Sequence, residues 1–299
     1  MTTFVQGPVQ VSVPATSANL GPGYDALGLA LDLRDTLTGE VTGGGLTVEV
    51  TGEGSDEVPR DETHLVVRAM NLAFDEMGQR PPGLRLRCDN AVPHARGLGS
   101  SSAAIVGGIA LARALVAGGT LLLDDDAAFR LAARLEGHPD NVAPAWYGGF
   151  VVSGHEGEDF WAVPASVDPR VSAVVFVPPT PVSTEAARQL LPDTVPHADA
   201  AANAGRAALL VTALAGRPEH LHLATRDWLH QTYRRPAMPE SLDLVDALRA
   251  GGVAAVVSGA GPTVLAFCAG CDAAELRRGA PHGWRSLSLE VSRDGVRVA

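Results

Sequence analysis

A glycine- and serine-rich loop that enters an apolar helix is the feature that most constrains this chain. Residues 97–102 read Gly-Leu-Gly-Ser-Ser-Ser, and small and apolar residues, interrupted only by Arg113, continue to Leu115. Glycine lets the backbone turn tightly and approach a ligand, and the helix points its free N–H groups and positive dipole end at the loop. This pattern is typical of a phosphate site. The loop alone also allows a simple turn into a tightly packed helix.

The basic residues exclude several classes of phosphate-binding and catalytic site. The chain has no lysine, so all 23 of its basic residues are arginine. A Walker A loop and a protein-kinase site both need a lysine on the phosphates, and Schiff-base chemistry needs a lysine amine. If phosphate binds here, its charge must be met by the helix dipole, backbone N–H groups, Mg²⁺ and arginine.

Composition places the chain in a broad class. Its 299 residues, 46% of them hydrophobic, suit two modest domains or one large one. A net charge of −11 argues against nucleic acid or an anionic membrane as a partner. No signal peptide or membrane-spanning segment is visible, so we expect a cytoplasmic protein. Cys268 and Cys271 are expected to be reduced thiols without a catalytic role.

Hydrophobic periodicity predicts a mixed α+β fold. The segment 154–160 is rich in glycine and charge, and we expect a boundary there, between residues 157 and 158. In the first part, alternation predicts strands at 9–13, 46–50, 84–88 and 148–153, and helical spacing predicts a helix over 65–77, capped by Thr63. A further helix is predicted to begin at Asp124 to Asp126, because acidic residues at a helix N-terminus are stabilised by the helix dipole. In the second part, the order β, helices, β, β, α, β resembles a split βαβ plan. Its predicted helices include 184–191, 198–215, 218–229 and 241–249.

Polar residues cluster in further loops. Asn19 and Asp25 lie in a Gly-Pro-Gly loop and suit a ligand with an ammonium and a hydroxyl group, although an Asx-stabilised turn explains them equally well. Glu136 ends a predicted helix and is a candidate Mg²⁺ ligand. His138, in the turn that follows, is discounted as a general base because a Gly-His-Pro turn more often exposes its histidine or uses it as a cap.

Across nearly its full length, the chain resembles the GHMP kinases. The superfamily is indicated by Gly-Leu-Gly-Ser-Ser at 97–101 and Ser-Gly-Ala-Gly-Pro-Thr at 258–263. Within it, the segments at 17–25, 138–145 and 183–188 resemble the homoserine kinases. The resemblance implies a ribosomal-S5-like, nucleotide-binding N-terminal domain (1–157) and a ferredoxin-like C-terminal domain (158–299). It also implies transfer of the γ-phosphoryl group of ATP, with Mg²⁺, to L-homoserine in threonine biosynthesis, by a homodimer.

The resemblance also assigns residues. The triphosphate would be cradled by Pro93, His94, Ala95, Arg96, Gly97, Leu98, Gly99, Ser100, Ser101, Ser102 and Ala103. Further nucleotide contacts are expected from His64, Gly259 and Gly261. Ser101 and Glu136 would bind Mg²⁺. The amino acid would be held by Asn19, Asp25, Asn141, Arg188 and Arg234, with the carboxylate on the two arginines.

The proton acceptor is left open. Asn141 stands where related kinases have an aspartate, and an amide cannot accept a proton as a base. Phosphoryl transfer needs mainly positioning and charge stabilisation, so we expect direct transfer, with Asp140 as the alternative base and Arg188 near the reacting groups. Two other functions are weighed: a mevalonate- or sugar-type GHMP kinase, and a non-catalytic ligand sensor. The two arginines with Asn19 and Asp25 favour a zwitterionic substrate over mevalonate or a sugar. A sensor would be expected to have lost Ser101 or Glu136, and both are present.

Overall fold

The structure is a computed structural model that describes residues 4–299, and it contains two β-sheets covered by helices. The strands, in chain order, are β1 (Val9–Ala18), β2 (Leu27–Thr42), β3 (Gly45–Gly52), β4 (Gly83–Asn90), β5 (Phe150–Glu156), β6 (Asp159–Ala165), β7 (Val171–Val177), β8 (Ala255–Val257), β9 (Val264–Ala269), β10 (Arg285–Glu290) and β11 (Arg297–Val298). The α-helices are α1 (Leu65–Glu76), α2 (Ser100–Leu115), α3 (Gly119–Leu122), α4 (Asp125–Glu136), α5 (Pro139–Tyr147), α6 (Thr184–Gln189), α7 (His197–Gly216), α8 (Leu221–Ala224), α9 (Pro239–Ala250) and α10 (Ala273–Arg278). Two 3₁₀ helices span Pro218–His220 and Thr232–Ala237.

The larger sheet has the order β11-β1-β2-β4-β3, with β5 paired to β2 and β6 paired to β5. The smaller sheet has the order β10-β7-β9-β8, and all of its pairs are antiparallel. Helices connect β7 to β8 and β9 to β10, so the smaller sheet has the predicted split βαβ, ferredoxin-like plan. The α+β prediction is confirmed.

Strand β6 lies close to the predicted domain boundary. It pairs with β5 along its whole length, from Glu156 with Asp159 to Phe150 with Ala165. The predicted boundary at 157/158 therefore falls in the turn of this hairpin, whereas the two sheets separate after β6. Near the other end of the chain, β11 pairs with β1 and returns to the larger sheet.

Three apolar clusters stack in layers. One lies between the larger sheet and the helices α1, α2, α4 and α5. A second fills the space between the two sheets, where Leu29 and Phe150 meet Val175 and Leu265. The third packs the far face of the smaller sheet against α9 and α10. Because the middle cluster draws on both sheets, the two halves share a core.

Three local expectations differ from the structure. The predicted helix over 218–229 breaks up after α8, because the Asp227 carboxylate accepts the backbone N–H groups of Leu229, His230 and Gln231 and replaces helical bonding. The N-cap of α1 is His64 and not the predicted Thr63, whose hydroxyl donates to Asp61. The expected free thiols of Cys268 and Cys271 are joined in a disulfide, since the turn after β9 brings their Cα atoms within 5.3 Å.

Residues 4–299 include no helix with both the length and the apolar character needed to cross a membrane.

Candidate active site

A cavity of about 320 Å³ opens where loops from both sheets meet. Asn19 follows β1, Gly97 and Gly99 lie in the glycine loop, and Gly259 and Gly261 connect β8 to β9. The Asn19 side chain binds these loops together: its Nδ2 donates to Gly259 O at 2.8 Å, and its Oδ1 accepts from the backbone N–H of Asp25 at 2.9 Å. Asn19 therefore shapes the wall of the cavity.

Glycine is required at two positions of the loop. A Cβ on Gly97 would lie 2.3 Å from Ser258 O, so the loop packs directly against the connection between β8 and β9 of the smaller sheet. Gly99 precedes α2 with a φ of 71°, in the left-handed region that favours glycine. Both positions bring the backbone closer to its surroundings than a side chain would allow.

The backbone carbonyl groups of the loop accept hydrogen bonds from neighbouring segments. Ala95 O accepts from Val182 N, Arg96 O from Thr263 N and Leu98 O from Thr16 N, at 3.0 to 3.3 Å. Gly97 O accepts from the Ser258 hydroxyl at 2.6 Å. Throughout the described part of the chain, no hydrogen bond uses the backbone N–H groups of 97–101. With the carbonyls engaged and the N–H groups free at a helix N-terminus, the loop is organised to bind an anion.

Two hydroxyl groups converge on one carboxylate at the start of α2. The Oγ atoms of Ser101 and Ser102 lie 2.5 and 2.9 Å from Oε1 of Glu136, the last residue of α4. Oxygen donors in this arrangement suit Mg²⁺, which prefers a few protein oxygens together with phosphate and water. The residues present therefore fit the implied metal, which Ser101, Ser102 and Glu136 would hold.

Asn141 is oriented by a neighbour on β1. Its Oδ1 accepts from the hydroxyl of Thr16 at 2.8 Å. This contact uses the amide oxygen, so the amide Nδ2 is the group that Asn141 offers to the cavity. Asn141 is therefore a hydrogen-bond donor here.

Asp140 and His138 form a buried pair at the N-terminus of α5. His138 Nδ1 lies 3.2 Å from Asp140 Oδ1, an ion-pair distance without hydrogen-bond alignment, and the Asp140 side chain is only 3% exposed. Burial lowers the pKa of His138, but the carboxylates of Asp140 and Glu136 outweigh burial and raise it overall. Both residues of the pair line the cavity.

Arg188 and Asp25 form a bidentate ion pair at the rim. The two Arg188 Nη atoms lie 2.7 and 3.0 Å from the Asp25 carboxylate oxygens, and Nη1 also donates to Tyr24 Oη at 2.7 Å. The hydrogen bond to Asp25 raises the pKa of Arg188. Two residues predicted to hold opposite ends of a zwitterion therefore lie side by side.

Arg234 is a buried guanidinium that faces the cavity. It is 1% exposed, and its Nη1 donates to Gly259 O and to His230 Nδ1, both at 3.0 Å. His230 Nε2 lies 2.8 Å from Gly21 O, and burial lowers the pKa of His230, so it is neutral. Within residues 4–299 no carboxylate reaches ion-pair distance of Arg234, and its Nε has no partner. A buried charge without a counter-charge is costly, which points to an anionic ligand.

A second cavity, of about 310 Å³, adjoins the first at Ala95, Ser100 and Ser101. Its wall includes apolar side chains of Leu37 and Val66. His64 also lies here; its Nδ1 accepts from the N–H of Val66, and burial lowers its pKa, so the ring is neutral. A flat, uncharged ring such as a nucleobase suits this cavity better than an ion does.

Most of the predicted site residues lie together, with a few exceptions. The first cavity is lined by Asn19, Ala95, Gly97, Gly99, Ser100, Ser101, Glu136, Asp140, Asn141, Arg188, Arg234, Gly259 and Gly261, and the second by His64, His94, Ala95, Ser100, Ser101 and Ala103. Leu98 and Ser102 are buried, and Leu98 belongs to the core between the sheets. Pro93 and Arg96 line a third cavity behind the loop. Asp25 lines none of the three cavities and is placed beside the first one by its ion pair with Arg188.

Sequence reasoning missed several contributors. Thr16 and Tyr24 act through side-chain contacts with Asn141 and Arg188, more than 120 residues away, and no local pattern signals such contacts. His138 was discounted although it lines the cavity. The sequence did contain a signal for this: His138 precedes Asp140 by two residues at the start of α5. A histidine at an N-cap lies close to acidic residues of the first turn.

Comparisons with known proteins agree with this geometry. Residues 64–149 match the family described as GHMP kinases N terminal domain, and residues 207–281 match GHMP kinases C terminal. The chain is 54% identical over 295 residues to a homoserine kinase of Streptomyces avermitilis, covering 99% of this chain and 97% of that protein. A homoserine kinase of Clavibacter michiganensis subsp. michiganensis is 51% identical over 298 residues, covering 97% and 93%.

Solved structures extend the comparison. The crystal structure of homoserine kinase from Cytophaga hutchinsonii matches with a TM-score of 0.84 at 25% identity, over 100% of both chains. Mevalonate diphosphate decarboxylase from Staphylococcus aureus matches with a TM-score of 0.69 at 17% identity, over 98% of both chains, and shares the fold alone. The resemblance inferred from the glycine loops is confirmed: the chain belongs to the homoserine kinase family of the GHMP kinases.

Proposed function

We propose that this protein transfers the γ-phosphoryl group of ATP to the hydroxyl of L-homoserine, giving O-phospho-L-homoserine. The observation that carries the proposal is the meeting of two cavities at the glycine loop. The apolar cavity suits the base of ATP, and the polar cavity contains the buried Arg234 guanidinium. A triphosphate on the loop between them would place its terminal phosphate beside the polar cavity.

The nucleotide would be held mainly by backbone. The free N–H groups of 97–101 would bind phosphate oxygens, and Ala103 and His64 would border the base. Mg²⁺, held by Ser101, Ser102 and Glu136, would neutralise phosphate charge. We expect Glu136→Gln to raise the Mg²⁺ concentration needed for half-maximal rate, and an unchanged requirement would remove Glu136 from the metal site.

The amino acid would be recognised by its two charges. Arg234 and Arg188 would bind the carboxylate through planar, bidentate donors. Asp25, which Asn19 helps to position, would bind the ammonium. The side-by-side carboxylate and guanidinium of Asp25 and Arg188 are the complement of a zwitterion.

Transfer would rely on positioning and charge. The amide Nδ2 of Asn141 would donate to the substrate hydroxyl or the transferring phosphoryl group, since its Oδ1 is bound to Thr16. A loose phosphoryl transition state needs little assistance from a strong base. The hydroxyl proton would pass to the phosphoryl oxygens or to solvent, with Asp140 as the alternative acceptor.

ADP release from Mg·ATP with a panel of acceptors tests the proposal. The panel is L-homoserine, D-homoserine, L-threonine, mevalonate and galactose. Strong turnover with L-homoserine alone is expected. Turnover with mevalonate or galactose instead would overturn the roles of Arg188 and Arg234, and ATP binding without turnover would indicate a ligand sensor. The cytoplasmic location and the homodimer remain predictions from the sequence.

A further inference from the structure

Arg96 lies immediately before the first glycine of the loop, but its side chain points behind the loop. All three nitrogens of its guanidinium donate to backbone carbonyls: Nε to Pro178 at 3.0 Å, Nη2 to Pro179 at 2.6 Å and Nη1 to His94 at 3.0 Å. It lines the third cavity, of about 430 Å³, and neither of the two that meet at the loop. The geometry therefore directs this cation away from the phosphate site.

Two of the three carbonyls that Arg96 binds, those of Pro178 and Pro179, belong to the segment leading to Arg188. Pro178 and Pro179 follow the last residue of β7, and the chain then runs to Ser183, the N-cap of α6. Proline has no N–H group, so these two residues cannot donate to a neighbouring strand. Apart from Arg96, the glycine loop reaches this segment through the bond from Val182 N to Ala95 O at 3.3 Å. Arg96 thus supplies two of the three hydrogen bonds described between them.

The loop itself depends much less on this side chain. Of its carbonyls only that of His94 accepts from the Arg96 guanidinium, whereas those of residues 96–98 are bound to Thr263, Ser258 and Thr16. Removing the guanidinium would leave the loop in place and release the segment at 178–183.

We propose that Arg96 is a positioning residue that fixes the 178–183 segment, and with it Arg188, against the phosphate loop. A bidentate arginine must be placed within fractions of an ångström to hold a carboxylate productively. The role in substrate binding rests on the proposed function, whereas the ordering of the segment does not.

The experiment compares Arg96→Met and Arg96→Lys with the wild type. Methionine keeps the aliphatic stem and removes all donors. Lysine keeps the charge but cannot reach three carbonyls in different directions. Arg285→Ala is the matched control, because Arg285 lines the same cavity and pairs with Glu53 at 2.6 Å.

Two measurements separate positioning from phosphate binding. The first compares the KM for L-homoserine with the Kd for Mg·ATP measured by calorimetry. We expect both Arg96 variants to raise this KM by about tenfold or more and to change the Kd for ATP less than about twofold. An ATP affinity that falls at least tenfold in Arg96→Met and returns in Arg96→Lys would overturn the proposal, since a lysine serves a phosphate well.

The second measurement is limited trypsin digestion followed by mass spectrometry. The wild-type chain has no lysine, so trypsin cuts it only after arginine, and the Arg96→Lys variant keeps a tryptic site at position 96. In every variant, cleavage after Arg188 reports on α6. Faster cleavage there in both Arg96 variants, but not in Arg285→Ala, supports the proposal without requiring activity. Equal cleavage rates in all variants would overturn it. Failure of the wild type to phosphorylate L-homoserine would reject the proposed function and leave this measurement valid.

Discussion

Arg234 combines burial, charge and the lack of an acidic partner, so its role can be measured directly. Arg234→Met keeps the volume and removes the donors. A hydrogen bond to a charged group contributes about 1.5–3 kcal/mol, so we expect the KM for L-homoserine to rise about 10- to 100-fold. The phosphorylation rate of the corresponding amino diol, which lacks the carboxylate, should change little. An equal loss with both acceptors would mean that Arg234 does not bind the carboxylate.

The wild type should gain little stability from this arginine. A buried charge without a counter-charge has a desolvation cost that an apolar side chain of similar volume does not have. We therefore expect the melting temperature of Arg234→Met to equal or exceed that of the wild type. A large drop would make the guanidinium chiefly structural, through its bonds to Gly259 and His230.

Asp140 decides whether a base takes part. Asp140→Asn removes proton-accepting ability and keeps the shape. Direct transfer predicts that kcat remains within about tenfold of the wild type, whereas loss of a general base costs about 10²–10⁴-fold. A fall of that larger size, with normal folding and substrate binding, would assign the base to Asp140. The pair with His138 must be checked in the same variant, by measuring the pKa of His138 by NMR.

The raised pKa of His138 also predicts how stability depends on pH. Its folded-state pKa lies above the unfolded value of 6.5, so the protonated ring stabilises the folded state below that pH. This contribution is lost as the pH rises through the folded pKa. Urea denaturation across about pH 5–9 should show the stability advantage of the wild type over His138→Gln shrinking with increasing pH. An advantage that grows with pH would contradict the assignment.

Among the elements, α4 carries Glu136 and depends on a cap. The acidic run predicted a helix start here, and the structure adds a cap: Asp124 Oδ1 accepts from Ala127 N at 2.8 Å. Replacing such a cap with alanine costs about 0.5–2 kcal/mol. Asp124→Ala should therefore lower the free energy of unfolding in urea by that amount. Asp126→Ala, whose exposed pair with Arg130 spans 3.9 Å, is the control and should change it by less than about 0.5 kcal/mol.

Elements with local signals were predictable from sequence, and those set by distant partners were not. The glycine loop, α4 and β7 follow from turn residues, caps and periodicity. Strand β2 was not predicted, because Asp32, Arg34 and Asp35 interrupt its apolar pattern, and a register shift against Pro14 and Ala15 accommodates them. The pairing of Asp25 with Arg188 joins residues 163 positions apart, so only the fold could bring them together.

At the scale of the whole molecule, the two halves are joined by more than the site. The middle apolar cluster draws on both sheets. Arg34, on β2, donates to Ser12, Ser292, Asp294 and Gly295, linking the larger sheet to the segment after β10. Strand β11 then pairs with β1. A shared core of this kind favours a single cooperative unfolding transition.

Tryptophan fluorescence can test this cooperativity half by half. Trp146 lies on α5, beside the larger sheet, and Trp284 precedes β10 in the smaller one. With the other tryptophans changed to phenylalanine, each single-tryptophan protein reports on one half. For each single-tryptophan protein, the urea midpoint from fluorescence is compared with the midpoint from circular dichroism of the same variant. The two midpoints should coincide in both proteins.

Adding Arg34→Met to each protein should lower the free energy of unfolding by about 1–3 kcal/mol for both probes, because it leaves backbone carbonyls unpaired. Separate transitions, or a loss confined to one probe, would show that the halves unfold independently.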